Sequence, residues 1–332
     1  MHDEILDLKD KKILYILAQE ARTPASAIAK QVGLSKDAVK YRIRQLEKKK
    51  IIYNYIAVID NDKLGFYAYD LFMRLNIPPG QESKITGYFD NHPNICWSCF
   101  MSGQWNFFVE LLCSSNREFH EITKDIAAKF SSMLEDYEFH LVGDTYRLTQ
   151  LVEPLYDGKG LSVKADRPLG IPSGQARVAL DDVEKKLLTV LRDEALLPVH
   201  KLAKRMGVTA EVVRYRLRKL RDEGVLLRTT PTIDYSVLGF VEYILLIKLR
   251  NLTPERENRL RQRVQHIPLI KYCYRAQGEQ TFFAILNARS VDEVESMLKS
   301  IRVDSFDIIK SVEYYHVTGH QRFIEFPDAM GK

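Results

Sequence analysis

Two short stretches hold the residues best suited to reading another molecule. Ser35 leads into Lys36, Asp37, Lys40, Tyr41, Arg44 and Gln45, and 174 positions later Thr209 leads into Glu211, Arg214, Tyr215, Arg218 and Lys219. Helical periodicity puts each set on the outer arc of one helix. Val39, Ile43 and Leu46, or Val213, Leu217 and Leu220, form the apolar stripe opposite. Long cationic and amide side chains on such an arc can reach guanine or adenine edges bidentately, or pair with phosphates. The bland alternative is a solvated basic face. Against it, both copies keep the capping hydroxyl, the stripe and the Tyr-Arg-x-Arg run at 41–44 and 215–218. Within those runs Arg42 and Arg216 project nearer the core edge, where they would brace the fold instead.

Other reactive groupings point elsewhere. Cys96-Trp97-Ser98-Cys99 is a C-x-x-C, but on a strand residues three apart face opposite ways, and no second ligand pair follows, so buried structural thiols are expected. His92 and His266 occupy matching places, and His140 and His316 fall in the last strand of each copy; a tetrapyrrole or metal role for them is the weaker reading. Neither a phosphate-binding glycine loop nor a nucleophile motif is present. No cofactor, no metal and no catalytic residue are expected.

The elements that would position these side chains follow from the chain as a whole. Its 332 residues exceed what one hydrophobic core usually organises. With 45% hydrophobic and 28% charged residues, the composition is that of a folded chain. No apolar run approaches the ~20 residues of a membrane span, and the start, MHDEILDLKDKK, does not read as a leader. Four cysteines are too few and too clustered to staple a chain this long. A cytoplasmic location without disulfides or membrane contact is the expectation. The net charge of +5 is modest, but residues 1–60 carry about +4 and 180–235 about +3, so the positive charge is gathered on the two candidate readers.

Self-comparison explains this distribution. Asp7 to Leu14 lies over Asp181 to Leu188, and the match runs without a gap to Leu64-Gly65-Phe66 over Leu238-Gly239-Phe240. After one extra residue in the second copy, Gly103-Gln104-Trp105-Asn106-Phe107-Phe108 meets Gly278-Glu279-Gln280-Thr281-Phe282-Phe283. Each copy opens with an amphipathic helix over about 8–20, or around Leu187 to Leu191. A short helix follows, with Thr23 as its capping hydroxyl, Pro24 at its first position and Gly33 at its end. The outer-arc helix comes third. Three helices so arranged predict a helix-turn-helix, and the β-prone stretches 51–59 and 225–233 predict a two-stranded wing after each. Beyond Tyr67 the pattern reads strand to Leu75, helix over Gln81–Phe89, strands Ile95–Met101 and Asn106–Cys113, helix 117–130 and strand 135–149: a ferredoxin-like βαββαβ order, repeated over 241–326. So small a sheet leaves a face or edge to cover, which pairing with a like domain would do.

The segments LDLKDKKIL, GLSKDAVKYRIRQLEKKKII and IAVIDNDKLGF resemble the winged helix of the Lrp/AsnC (leucine-responsive/asparagine, feast/famine) regulators. The resemblance covers each copy almost end to end. It implies an α+β chain in which two winged helix-turn-helix domains alternate with two ferredoxin-like effector and assembly (RAM-type) domains. The expected boundaries are 1–62, 63–151, a Pro- and Gly-rich linker over 152–178, 179–236 and 237–326. It further implies a double-stranded DNA partner, a homo-oligomer such as a dimer, and a small effector bound near the turn between the second and third strands of each RAM-type domain, at Gly103, Gln104 and Asn106 and at Gly278, Glu279 and Thr281. Where the family shows Gly-x-x-Asp this chain has Asn106 and Thr281, so the carboxylate that would attract an amino acid's ammonium group is missing there. Enzymes that decarboxylate sirohaem share the two-domain plan and supply the alternative class.

Overall fold

The computed structural model describes residues 5–156, 177–277 and 281–331. Most of the expected linker, together with Gly278 and Glu279 of the second turn, lies outside the described residues. Helix α1 (Leu8–Gln19) starts with a reciprocal cap, in which Asp7 accepts from the Asp10 amide and Asp10 from that of Asp7. Helix α2 (Ala25–Val32) departs from expectation at its start. Pro24 is the N-cap and makes no side-chain bond, while the Thr23 hydroxyl donates to the Glu20 carbonyl at 2.7 Å. Gly33 ends α2 at φ 65°, the left-handed geometry that costs a side chain dearly. Helix α3 (Lys36–Lys48) is capped by the Ser35 hydroxyl, which accepts from the Ala38 amide at 3.1 Å.

Strand β1 (Ile52–Ile59) leads into the first sheet domain: β2 (Tyr67–Leu75), α4 (Glu82–Asp90), β3 (Ile95–Ser102), β4 (Phe107–Cys113), α5 (Asn116–Lys129) and β5 (Leu134–Leu148). The second copy follows the same plan with α6 (Asp182–Asp193), α7 (Val199–Met206), α8 (Ala210–Asp222), β6 (Leu226–Ile233), β7 (Val241–Leu249), α9 (Pro254–Gln265), β8 (Ile270–Gln277), β9 (Thr281–Ala288), α10 (Val291–Ser305) and β10 (Ile309–Phe323). No helix among the described residues is long and apolar enough to cross a membrane.

The two copies pair within the chain, and the wing is where this first shows. Each was expected to carry its own two-stranded wing; instead β1 and β6 pair antiparallel with each other, Ile56 opposite Thr230 and Ala57 opposite Thr229, forming one shared ribbon. The helical cores cross over in the same way. The first closes around Ile13, Leu14, Ile28 and Val39 with Ile233, Tyr235 and Phe240 from the second copy. The second closes around Leu187, Leu188, Leu202 and Val213 with Ala57, Ile59 and Leu112 from the first. The Tyr235 hydroxyl completes the first core, donating to the Gln150 carbonyl at 2.7 Å and accepting from the Val152 amide at 3.0 Å.

The eight long strands close into one antiparallel barrel in the order β10-β3-β4-β2-β5-β8-β9-β7. Each four-stranded ferredoxin-like sheet would leave two open edges, and closure removes all of them. The two 15-residue strands make this possible. The first half of β5 pairs with β2 and its second half with β8, and β10 likewise changes partner from β7 to β3. Registers slip at both crossings, as bending a strand across two sheets requires. Gly143 lies at the first crossing, where a Cβ would come within 2.2 Å of the Arg275 carbonyl oxygen. Inside the barrel Phe72, Phe108, Tyr274 and Phe283 pack with Trp97 and Leu246; the helices cover the outer faces. Each fully buried aromatic of this kind contributes roughly 1.5–3 kcal/mol.

Candidate nucleic-acid interface

Both outer arcs face solvent. On α3, Lys36, Asp37, Lys40, Tyr41 and Arg44 are exposed and Gln45 half-exposed; Tyr41 is 61% accessible although it is a large aromatic. On α8, Glu211, Arg214, Tyr215 and Arg218 are exposed, Tyr215 at 60%. Ser35 and Thr209 spend their hydroxyl oxygens on the helix caps, accepting from the Ala38 and Val212 amides. Their role is to fix where each helix begins. Arg214 pairs with Glu211 at 3.1 Å in a fully hydrated setting, a contact worth little and easily exchanged for a phosphate.

Arg42 and Arg216 brace the modules, as their inward lean foretold. Arg42 bridges Asp7 at 2.7 Å and Asp10 at 2.8 Å, tying α3 to the start of α1. Arg216 does the same with Asp181 at 2.7 Å and Glu184 at 3.1 Å. Lys219 is a correction. Its ammonium sits 2.7 Å from Glu184, a carboxylate with no exposed side-chain surface, so it is held towards α6 while 30% of its side chain stays exposed. The hydrogen bond to Glu184 raises its pKa and keeps it charged there. At the matching place copy one has Gln45, and in place of Glu184 it has Asp10, one methylene shorter and engaged by Arg42.

The two helical modules are fixed to each other. Arg22 of the first donates to the Ala195 and Leu197 carbonyls of the second at 2.6 and 3.2 Å, and Arg221 of the second pairs with Glu20 of the first at 3.1 Å. The Ala21 amide also donates to the Thr229 carbonyl on the ribbon at 2.7 Å.

Of the residues expected at the strand turns, Gly103, Gln104, Asn106 and Thr281 are described. Asn106 clasps the backbone of Leu75 with both ends of its amide, at 2.8 and 2.7 Å, which leaves no free head for a ligand. Gly103 has φ 128° with Tyr315 packed 3.0 Å from where its Cβ would lie, so the turn is pressed against the other copy; Gln104 is exposed. Thr281 is buried at the start of β9. Cys96 and Cys99 point to opposite sides of β3, one into the second helical core and one into the barrel, and all four cysteines are free and buried. No group of three metal-ligating side chains occurs among the described residues.

A cavity of about 710 Å³ lies between the shared ribbon and one mouth of the barrel, and the sequence reading passed over it. Tyr53, Val58, Thr232 and Asp234 form its ribbon side, and Trp97, Glu110, Glu242, Lys271, Tyr272 and Asn287 its barrel side. Behind Glu110 stands Asp70, wholly buried inside the barrel, accepting from the Tyr274 hydroxyl at 2.5 Å. Burial, and then the neighbouring Glu110 carboxyl, push the Asp70 carboxyl well above the usual range. Burial also raises Glu110, which accepts from the Cys96 thiol at 2.8 Å. Glu325, beyond the last strand, is pushed up to about 8, first by burial and then by Glu110.

With this geometry in place, relatedness is clear. Residues 6–47 match the AsnC-type helix-turn-helix domain, and residues 180–226 the winged helix-turn-helix DNA-binding domain. The chain carries two helix-turn-helix domains, and its homologues are regulators of the Lrp/AsnC type. It is similar to the HTH-type transcriptional regulator LrpA of Mycobacterium tuberculosis, 26% identical over 124 residues, which span 37% of this chain and 82% of that protein. It is also similar to the LrpA of Pyrococcus horikoshii, 47% identical over 62 residues, spanning 19% of this chain and 44% of that one. The fold of the whole duplicated chain matches the crystal structure of the siroheme decarboxylase NirDL with TM-score 0.64 and 14% identity, covering 97% of this chain and 96% of that one. This last likeness is one of architecture.

Proposed function

We propose that the protein is a sequence-specific DNA-binding transcriptional regulator of the Lrp/AsnC type, working in the cytoplasm without catalysis of its own, with one chain doing what a pair of simpler chains would do. The observation that carries this reading is the exposure of Lys40, Tyr41 and Arg44 on α3 and of Arg214, Tyr215 and Arg218 on α8, each arc held by a capped helix and an arginine brace. The arcs supply base-edge readers and phosphate anchors of the expected lengths. Because they differ and belong to one self-paired chain, the preferred site is asymmetric, its half-sites one helical turn or a multiple apart.

DNA selected from a random pool, followed by footprinting, tests this directly. The expected outcome is an asymmetric bipartite site whose affinity falls steeply between 50 and 200 mM salt, on the order of 10-fold or more for several neutralised phosphates. K40A/R44A should change the preference in one half-site only. Absence of any sequence preference, or a flat salt response, refutes the reading.

The catalytic alternative has one observation in its favour: a full-length fold shared with a decarboxylase, in a chain whose cavity could house a large ligand. The cavity's charge opposes it. The acidic side chains Glu110, Glu242, Glu325 and Asp234, ionised or not, outnumber Lys50, Lys271 and His316 on its walls, a poor lining for a polycarboxylate tetrapyrrole. Purified protein that showed haem-like absorbance, or consumed sirohaem, would reverse the ranking.

A further inference from the structure

The cavity between ribbon and barrel is not accounted for by DNA reading, and at and behind its wall the two copies differ in polarity. Asp70 and Glu110 of the first copy correspond to Ile244 and Ile285 of the second, and Asn287 of the second to Leu112 of the first. The barrel therefore tolerates aliphatic side chains at these positions, and the fold does not require the polar ones. Burying a carboxylate or an amide without full pairing costs stability, so groups kept under those conditions call for another explanation.

Asn287 supplies it. The residue has no solvent exposure and lines the cavity, its Nδ2 is 3.5 Å from the Glu242 carboxylate, and its Oδ1 has no hydrogen-bond partner. The contact with Glu242 fixes which end of the amide is which, leaving an acceptor that lacks a donor. The Glu242 charge is answered by Lys271. Glu110 has the Cys96 thiol and the Asp70 carboxyl as partners and no cation among them, and Glu325, although Arg228 and the Ile59 amide favour its charge, has its pKa held up by burial and by Glu110. Trp97, Tyr53 and Tyr272 add aromatic walls. Two carboxyl groups that a bound cation would draw into their ionised form, an orphan carbonyl and aromatic faces match a donor-rich cation.

We propose that this cavity is an effector site for a small organic cation bearing primary ammonium groups, of the diamine or polyamine class, with Glu110 and Glu325 pairing the charge and Asn287 Oδ1 taking a hydrogen bond. At about 710 Å³ the space is in the range that encloses small-molecule ligands. Its regulatory meaning rests on the DNA-binding reading. The ligand would touch Tyr53 and Thr232 on the ribbon that joins the two helical modules, so occupancy can bias their position.

Calorimetric titration of the full chain with 1,4-diaminobutane and with spermidine, without DNA, tests the site alone. Saturable binding is expected, weakened at least 10-fold in E110Q/E325Q and more mildly in N287L. D70I/E110I, which installs the residues the other copy already carries, should fold and lose binding. No saturable binding by wild type, equal binding by E110Q/E325Q, or tighter binding of glutarate or an iron porphyrin overturns the proposal. A second arm measures affinity for the selected DNA with and without saturating 1,4-diaminobutane. A shift of at least about 3-fold in wild type but not in E110Q/E325Q supports regulation through the cavity. An equal shift in both comes from the amine on DNA and refutes that part while leaving the binding result intact.

Discussion

The two reader modules share a backbone plan yet secure their third helix differently, and one methylene makes the difference. In the first, Arg42 alone reaches down to Asp7 and Asp10. In the second, Glu184 replaces Asp10 and reaches far enough to take both Arg216 and Lys219, and in doing so becomes completely buried. Copy two is thereby the more tightly strapped module, with one cation of its arc tied to a buried carboxylate. Copy one keeps Gln45 half-exposed in the corresponding place. A duplicated domain can in this way divide its work: one arc richer in readers, the other better braced.

Removing the strap should give the largest effect. Glu184→Ala leaves Arg216 only Asp181 and Lys219 only the looser Glu223, and removes the reciprocal bond to the Asp181 amide; losing these charge-assisted hydrogen bonds together should cost about 3 kcal/mol. Asp10→Ala leaves Arg42 its bridge to the exposed Asp7 and should cost about 1 kcal/mol. Denaturant melts of the two variants check the ratio; equal losses would show that the two braces are equivalent after all.

The barrel seams give a second, somewhat smaller contrast. Gly143→Ala at the β5–β8 crossing must push its methyl against the Arg275 carbonyl, 2.2 Å away, where backbone and not a flexible side chain has to yield; about 1–3 kcal/mol is expected. At the β10–β3 crossing Gly319 has open space around its Cβ position, and Gly319→Ala should be near neutral. Thermal melts of both variants would detect the difference as several degrees against almost none.

These contrasts also mark how far the sequence could be read. The helix stripes, the Ser35 and Thr209 caps, the Gly33 stop and the bracing arginines were legible because each depends on neighbours within a few turns. The shared ribbon was not. Ile52–Ile59 is largely apolar and Leu226–Ile233 is rich in threonine, yet nothing in either strand's own residues names the strand it will pair with. Asn106 read as part of a ligand turn because its clasp on Leu75 lies 31 residues back in the chain. Lys219 read as outward because helical phase gives direction but not the reach of a carboxylate on another helix. Asp70 and Glu110 did leave a signal, a charge inside YAYDLFMRL and another inside FFVELLC, which a search for acids interrupting apolar strands would have found.

The buried acids predict a pH dependence that separates the cavity from the rest of the molecule. Glu325 titrates near 8 in the folded chain against roughly 4.3 when unfolded. A carboxyl raised by folding contributes stability that is complete below its unfolded pKa and is lost as pH rises through the folded one. Between about pH 4.5 and 8 the wild type should therefore lose stability that Glu325→Gln does not. Melting curves should show the variant gaining on wild type by a few degrees at pH 8.5 and by nothing at pH 4.5. A gain independent of pH would place the effect in packing.

The smallest effect expected tests the comparison between the readers themselves. If Lys219 is a strut and Arg218 a reader, then Lys219→Ala should lower stability modestly while changing DNA affinity less than about 2-fold, whereas Arg218→Ala should weaken binding and relax the preference in the second half-site by about 1–3 kcal/mol. Glu184→Asp sharpens the point. Shortened by one methylene, the carboxylate can keep Arg216 but no longer reaches Lys219, and copy two is rebuilt on the pattern of copy one with a released lysine on its arc. Its DNA binding should then tighten and become more salt-dependent, by about one additional phosphate contact in the slope. An unchanged slope would mean that the lysine, once released, finds no phosphate within reach, and that the arc of copy two ends at Arg218.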